Sequence, residues 1–549
     1  MTAYNVASFL REQAAARPDA PALRFPAATY RTDAPAWDEW TFGELSRHAD
    51  AYARGFRAMG LVAGEKVVLL TKPDLHFYAF VFGLFEIGAV PVLLDPGMGR
   101  KAILACVAQI RPTAMVALPA VHALRQVIRA PFSSIVDHVT VGRRWFWGGK
   151  TLAQCYVPGD VPPGLVIRDG LDDAAIIFTS GSTGIPKGVV NRQDMFAAQV
   201  SAIREMFGFE PGNVMVQAFA AFALFDLCWG HCAVIPKMDL SKPVTADPAD
   251  FAAAVHHNRA NVAFASPIVW QNVLRHLERS GTKLDTLERV VTVGAPIPAY
   301  LHRRLQPFLA PGAQIWTPYG ATEGMPVTQI GTTELLSVQE RQKRGEGVCV
   351  GRPAPGAEIR IIRVTDDPIP AWIPDLHLGP NQVGEIVVCG TQISTEYRDL
   401  PDAQAKAKIR DGDRIWHRMG DLGRIDDDGR LWFAGRKAHR LTTKMGMIPC
   451  VPVEQVFNEH PAVFRTALVG LGAPGDERPV LCVELEQGHT WSPALEAELR
   501  AMAVGTPWEG VVQALLPHPG FPTDARHNSK IRNEDLKVWA ASQGLRRAT

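Results

Sequence analysis

The sequence predicts an α/β protein with a large N-terminal lobe of parallel-type αβ layers, a β-barrel-like subdomain within it, and a small mobile α+β C-terminal lobe. Three observations predict this. Short apolar runs alternate with helically spaced segments through the first half of the chain, the rhythm of parallel strands covered by helices. After Gly351 the runs are separated by Pro, Gly and Asp turns, as in antiparallel or barrel-like sheets. The 549 residues exceed the ~250–300 at which one core stops growing, and a second alternation begins near Lys437.

Taken in order, residues 1–18 read as a mixed-charge helix without the basic-then-apolar order of a signal peptide. Residues 42–59, 74–88 and 101–111 have helical spacing, and 65–70, 89–94 and 114–118 are apolar runs bounded by turn residues. Strands are expected again at 262–265, 289–293 and 314–317, then at 358–363, 384–389 and 430–433. The Pro-rich stretch 366–380 reads as an exposed loop. In the last part, 453–459 and 493–503 read as helices, and 466–470 and 480–485 as strands. The expected division is 1–434 for the large lobe, 435–438 for a hinge and 439–549 for the small lobe.

With 57 basic against 56 acidic side chains the net charge is +1, which argues against nucleic acid as a partner. Eight scattered cysteines without framework spacing suit a reducing, cytoplasmic setting. Cys228, His231 and Cys232 lie close together but lack the second half of a zinc site, so they read as buried side chains. Residues 214–236 approach the length of a membrane span, but Asp226 at the centre makes that costly. A buried strand followed by a core helix is expected there instead, and no transmembrane segment.

The sharpest chemical signal is IIFTSGSTGIPKG, residues 176–188, in which an apolar strand runs into a loop of small and hydroxylated residues. Of the ten residues from Thr179 to Gly188, eight are Thr, Ser, Gly or Lys, a density that favours phosphate binding over an ordinary surface turn. It is not a Walker A loop, because Lys187 follows Pro186 and precedes Gly188. Three further segments stand in order: TPYGATE at 317–323, WHRMGDLGR at 416–424 with Gly435-Arg436 beyond it, and Asn528-Ser529-Lys530-Ile531 near the end.

By these motifs the chain, from about Phe42 to Lys537, resembles the AMP-forming acyl-adenylating enzymes: acyl-CoA synthetases, luciferases and peptide-synthetase adenylation domains. The resemblance implies ATP and Mg²⁺ as cofactors. It carries phosphate binding to Thr179, Ser180, Gly181, Ser182, Thr183, Gly184 and Lys187. Gly294, Ala295 and Pro296 would wrap adenine and the acyl chain. Tyr319, with Gly320 and Ala321, would present a flat face to adenine. Thr322 would donate to the α-phosphate, and Glu323 would hold Mg²⁺ through a hard oxygen. Asp421 would accept from the ribose hydroxyls, and Arg436 would reach ribose or phosphate. Lys530, carried in by the small lobe, would bridge the carboxylate and the α-phosphate, offsetting the repulsion of two anions.

Departures from the pattern are informative. Ser529 and Asn528 replace the usual Gly and Ser beside the lysine. Ala438 stands where the family's hinge carries Asp or Lys, and Ile448-Pro449 where thioester-forming members place a basic residue. A chain so altered need not admit an external thiol. Within the family the sequence most resembles the bacterial olefin-biosynthesis β-lactone synthetases. That resemblance implies a long-chain 2-alkyl-3-hydroxy acid as substrate, closed to a β-lactone by its own hydroxyl, and other olefin-pathway enzymes as partners. A long-chain acyl-CoA or acyl-carrier-protein ligase is the alternative. Phe219–Phe225 and Trp229 would line an alkyl pocket or form a buried strand, and His231 and Asp226 are base candidates by position alone.

Overall fold

The computed structural model describes residues 4–179, 186–240, 242–294, 297, 299–523 and 531–544. Most of the apolar runs become strands of two large sheets. One has seven strands in the order Lys150–Thr151, Asp137–Thr140, Ala114–Ala117, Lys66–Leu70, Val90–Leu94, Asp173–Thr179 and Lys187–Arg192. All neighbours are parallel except the last pair, which is antiparallel.

The other sheet has fourteen strands. Its parallel part runs Pro21–Pro26, Cys232–Val234, Val214–Gln217, Val262–Ala265, Arg289–Thr292 and Gln314–Ala321. At Gln314–Ala321 the chain turns back into Gly324–Gly331, and the sheet continues antiparallel through Val348–Pro353, Leu431–Arg436, Arg414–Ile425, Gly384–Cys389 and Glu358–Ile362. The antiparallel strands expected after Gly351 therefore extend the parallel sheet.

Between the sheets lies a core drawn from both, including Val67, Val116, Met215, Val262 and Phe264. Two helices cross it. Phe42–Ala58 starts at a capping box in which the Thr41 hydroxyl accepts from the Glu44 N–H and the Glu44 carboxylate accepts from the Thr41 N–H. Leu75–Glu86 is capped by Asp74 and is buried from Phe77 to Glu86. A helix apolar around its circumference can be stable only when enclosed, and its composition puts it between two sheets. The remaining part forms a three-stranded sheet, Val463–Leu471, Arg478–Leu485 and Ala514–Pro517, covered by Cys450–Asn458, Pro493–Met502 and Asn533–Ser542. It has apolar clusters of its own around Leu481 and Val480.

Two expectations change in detail. The stretch 366–380 is not simply exposed: Ile369 is buried, Trp372 packs on Trp416 with ring centroids 5.1 Å apart, and the Trp372 N–H donates to the Arg410 carbonyl. Prolines prevented regular pairing there without preventing burial. Residues 214–236 form a strand, then the helix Ala223–Trp229, then a second strand. Among the described residues no helix is long and apolar enough to cross a membrane, and no group of three or more His, Cys, Asp or Glu side chains could hold a metal. All eight cysteines are free and buried.

His302, in the helix Ala299–Leu305, is fully buried and pairs through Nδ1 with the Thr332 hydroxyl at 3.1 Å. Burial pushes its imidazole down to about 4, with Arg303 adding to the effect. The folded chain thus refuses a proton that the unfolded chain accepts below its ordinary 6.5, so stability present above that pH falls as pH drops toward 4. Thermal unfolding of His302→Gln should show a shallower loss between pH 7 and 4 than the parent chain; parallel curves would contradict this.

Candidate active site

The parallel strands of both sheets end at one cavity of about 1670 Å³. Leu70, Leu94 and Phe178 reach it from the seven-stranded sheet, and Gln217, Phe264 and Val293 from the larger one. The carboxyl ends of parallel strands are where open α/β sheets hold ligands.

Its polar end is built on the hairpin Gln314–Ala321/Gly324–Gly331. Ala321 pairs with Gly324, so Thr322 and Glu323 form the tip, and Tyr319 to Glu323 all line the cavity. Gly320 packs tightly here, since a Cβ would lie 2.8 Å from the Gly324 carbonyl oxygen. Gly294, at φ +98°, lines the same end.

Facing the hairpin, Arg414–Ile425 carries Asp421, and its neighbour Leu431–Arg436 carries Arg436; the two residues are in register. The Tyr319 hydroxyl donates to Asp421 Oδ2 at 2.6 Å, and Arg436 Nη1 lies 2.9 Å from Oδ1. The guanidinium is near enough for an ion pair, yet Oδ1 receives no aligned hydrogen bond. A buried carboxylate oxygen with open acceptor capacity thus lies beside the cavity. Burial pushes the Asp421 carboxyl up, and Arg436 and the Tyr319 hydroxyl pull it down. Burial, reinforced by Asp421, drives the Tyr319 phenol well above its ordinary value, so it stays a donor.

Next to the hairpin tip, the Tyr397 hydroxyl donates to Glu323 Oε1 at 2.8 Å. Lys187 lines the cavity with its ammonium 5.2 Å from the centre of the Tyr397 ring, and the buried Lys408 ammonium lies 5.4 Å from the same centre. Burial pushes Lys408 down to about 7, although Glu323 and Glu396 pull it up. His417 lines this end, and its Nδ1 is buried without a partner; burial, then Lys408, pushes it well below the ordinary range. A metal cage of protein ligands is not present among the described residues. The Glu323 carboxylate, with one oxygen free of hydrogen bonds among the described residues, does fit a divalent cation that takes its other oxygens from phosphates, and Lys187 in the same cavity suits those phosphates.

The apolar end is an aromatic slot. Phe219, Ala220, Ala221, Phe222, Leu224, Phe225 and Trp229 line it, joined by Phe196, Phe207 and Phe209. The Phe196 and Phe225 rings stack at 4.8 Å and 6°. Leu70, Leu94, Ile103, Leu118 and Val121 add aliphatic surface to the same cavity. Asp226 and His231 do not line the cavity. The helix Ala223–Trp229 turns Asp226 inward, where Oδ2 accepts from Gln217 Nε2 at 3.1 Å, and His231 sits behind Phe209 and Trp229. Position in the sequence suggested both as bases; the cavity wall separates them from any substrate in it.

The structure therefore brings Lys187, Gly294, Tyr319, Gly320, Ala321, Thr322, Glu323 and Arg436 to one cavity, with Asp421 at its wall. Thr179 ends its strand opposite Lys187. Ser180, Gly181, Ser182, Thr183, Gly184, Ala295, Pro296 and Lys530 lie outside the described residues. Tyr397, Lys408 and His417 escaped sequence reasoning. The one available signal was His417 inside the 416–424 segment.

A family model described as AMP-binding enzyme matches residues 10–398. An olefin β-lactone synthetase of Stenotrophomonas maltophilia is 42% identical over 553 residues, covering 99% of each chain. One of Xanthomonas campestris pv. campestris is 40% identical over 552 residues, covering 99% of this chain and 98% of that one. The solved amide bond synthetase McbA from Marinactinospora thermotolerans superposes with a TM-score of 0.79 at 21% identity over 97% of this chain and 99% of its own, which shows a shared fold.

Removing the Tyr319 hydroxyl leaves a buried carboxylate with one donor fewer, a cost of about 1–3 kcal/mol. Tyr319→Phe should lower the urea midpoint accordingly, and an unchanged midpoint would mean that this bond contributes nothing to the fold.

Proposed function

The chain belongs to the AMP-binding enzyme family, and from that premise we propose that it converts a long-chain 2-alkyl-3-hydroxy acid and ATP into a β-lactone, AMP and pyrophosphate through an acyl adenylate. The observation that carries this reading is one cavity that joins the polar residues Tyr319 to Glu323 to a large aromatic and aliphatic lining. A branched acid has two hydrocarbon arms to bury, and a cavity of this size with so much apolar lining offers them surface. Identity above 40% to a full-length olefin β-lactone synthetase supports the same choice.

In this reading Asp421 Oδ1 accepts from the ribose, Tyr319 faces adenine, and Arg436 neutralises charge between ribose and phosphate. Lys187 and the 179–184 loop hold the phosphates, with Gly294, Ala295 and Pro296 along the adenine and acyl groups. Glu323 would hold Mg²⁺, which when bound neutralises phosphate charge. A substrate carboxylate oxygen attacks the α-phosphorus as the bond to pyrophosphate breaks. Thr322 donates to the α-phosphate, and Lys530, brought in by the closing segment 439–549, bridges both anions. The 3-hydroxyl oxygen then attacks the acyl carbon, the bond to AMP breaks, and the hydroxyl proton leaves to solvent. Because the nucleophile is tethered, proximity offsets part of the ring strain.

The turn that follows Arg436 is anchored to the antiparallel strands. Lys437 Nζ donates to Glu385 at 3.1 Å and to the Thr365 carbonyl at 2.9 Å, which ties the short turn Lys437–His439 to the antiparallel sheet.

Incubated with MgATP and a synthetic 2-alkyl-3-hydroxy acid without coenzyme A, the protein should yield a product lighter than the acid by one water, with one AMP per product, by mass spectrometry. A product that appears only with coenzyme A, as a thioester, would overturn the lactone reading. Lys530→Ala should keep ATP affinity within about threefold and lose at least about a hundredfold in pyrophosphate release, the scale of one removed electrostatic contact.

A further inference from the structure

Glu323 is held by a segment that belongs to neither of the motifs around it. Residues 393–398 run between the Glu323 hairpin and the strand Lys187–Arg192. On one side, Ile393 bridges to Gly324, the Ser394 N–H donates to the Glu323 carbonyl at 2.7 Å, and the Tyr397 hydroxyl donates to Glu323 Oε1 at 2.8 Å. On the other, Tyr397 bridges to Val189, the Arg398 N–H donates to the Gly188 carbonyl at 3.1 Å, and the Ser394 hydroxyl donates to the Val190 carbonyl at 3.2 Å. The segment is itself fixed. Gln404 accepts from the Tyr397 N–H at 2.9 Å, and the buried Lys408 ammonium donates to the Ser394 carbonyl.

We infer that residues 393–398 act as a brace that sets the distance between Glu323 and Lys187, and that Tyr397 is a positioning residue that aims the Glu323 carboxylate. Glu323 is at the tip of a two-residue turn, where its side chain would otherwise sample several rotamers. One oxygen is taken by a phenol whose ring is fixed from both sides, and among the described residues the other oxygen accepts no hydrogen bond. The carboxylate therefore presents one open oxygen in one direction. Lys187, over the phenol ring and lining the cavity, adds positive charge and forms no ion pair among the described residues. One ammonium beside one carboxylate with an open oxygen suits an anion carrying a divalent cation, which is the β,γ end of a nucleoside triphosphate and not AMP.

This inference rests on the adenylation reading, and its test separates the two. Calorimetry would measure MgATP and AMP binding to the full chain and to Tyr397→Phe. The variant should bind MgATP about tenfold more weakly, with a higher Mg²⁺ requirement, and bind AMP within twofold of the parent. Equal weakening of both ligands would mean a merely structural tyrosine, and no weakening of either would mean that Glu323 needs no aim; each overturns the inference. If the parent chain bound MgATP no better than ATP with a chelator, the adenylation reading itself would fail. Should Tyr397→Phe fold poorly, Lys408→Met, which releases the brace at the Ser394 carbonyl, should show the same split between MgATP and AMP, and its absence would count against the brace equally.

Discussion

One buried carboxylate holds the polar end of the cavity together. Asp421 receives the Tyr319 hydroxyl from one hairpin and faces Arg436 from the adjacent strand, so that a parallel sheet edge, an antiparallel extension and the hinge meet at one charge. Burying a carboxylate is unfavourable unless charge and donors compensate it. Here Tyr319 serves one oxygen and the Arg436 charge the other, and Oδ1, without an aligned hydrogen bond, keeps room for a further donor such as a ligand hydroxyl. The hinge proposed at 435–438 contains Arg436, and any movement of the segment beyond it would start beside this pair.

The two ends of the cavity follow from the topology. Parallel strands release their loops at one edge, and both sheets turn that edge toward the same space. The antiparallel return at Gly324–Gly331 puts Thr322 and Glu323 at a tip above the strand ends, and the helix Ala223–Trp229 lays aromatic side chains below them. Phosphate chemistry and hydrocarbon burial thus sit a short distance apart, as acyl activation requires.

Much of this was legible in the sequence because it is local. The apolar runs at Val262–Ala265 and Gly384–Cys389 are strands at the expected residues, and the 317–323 and 416–424 segments each deliver their side chains to the cavity. What was not legible depends on distant pairings. Tyr397 meets Glu323 across 74 residues, and nothing in its own neighbourhood marks it. Lys408 resembles any strand-start lysine until the sheet encloses it. The reverse error has the same cause: Asp226 and His231 look like site residues in a run of aromatics, but the helix turn aims the carboxylate at Gln217 behind the wall.

The central claim is that a fatty carboxylate becomes a mixed anhydride with AMP. Turnover of an acid labelled with ¹⁸O in its carboxylate, followed by mass analysis of the nucleotide product, tests it most directly. Attack on the α-phosphorus, with later cleavage between the acyl carbon and that oxygen, must leave one ¹⁸O in each AMP. AMP that carries no label would contradict the account.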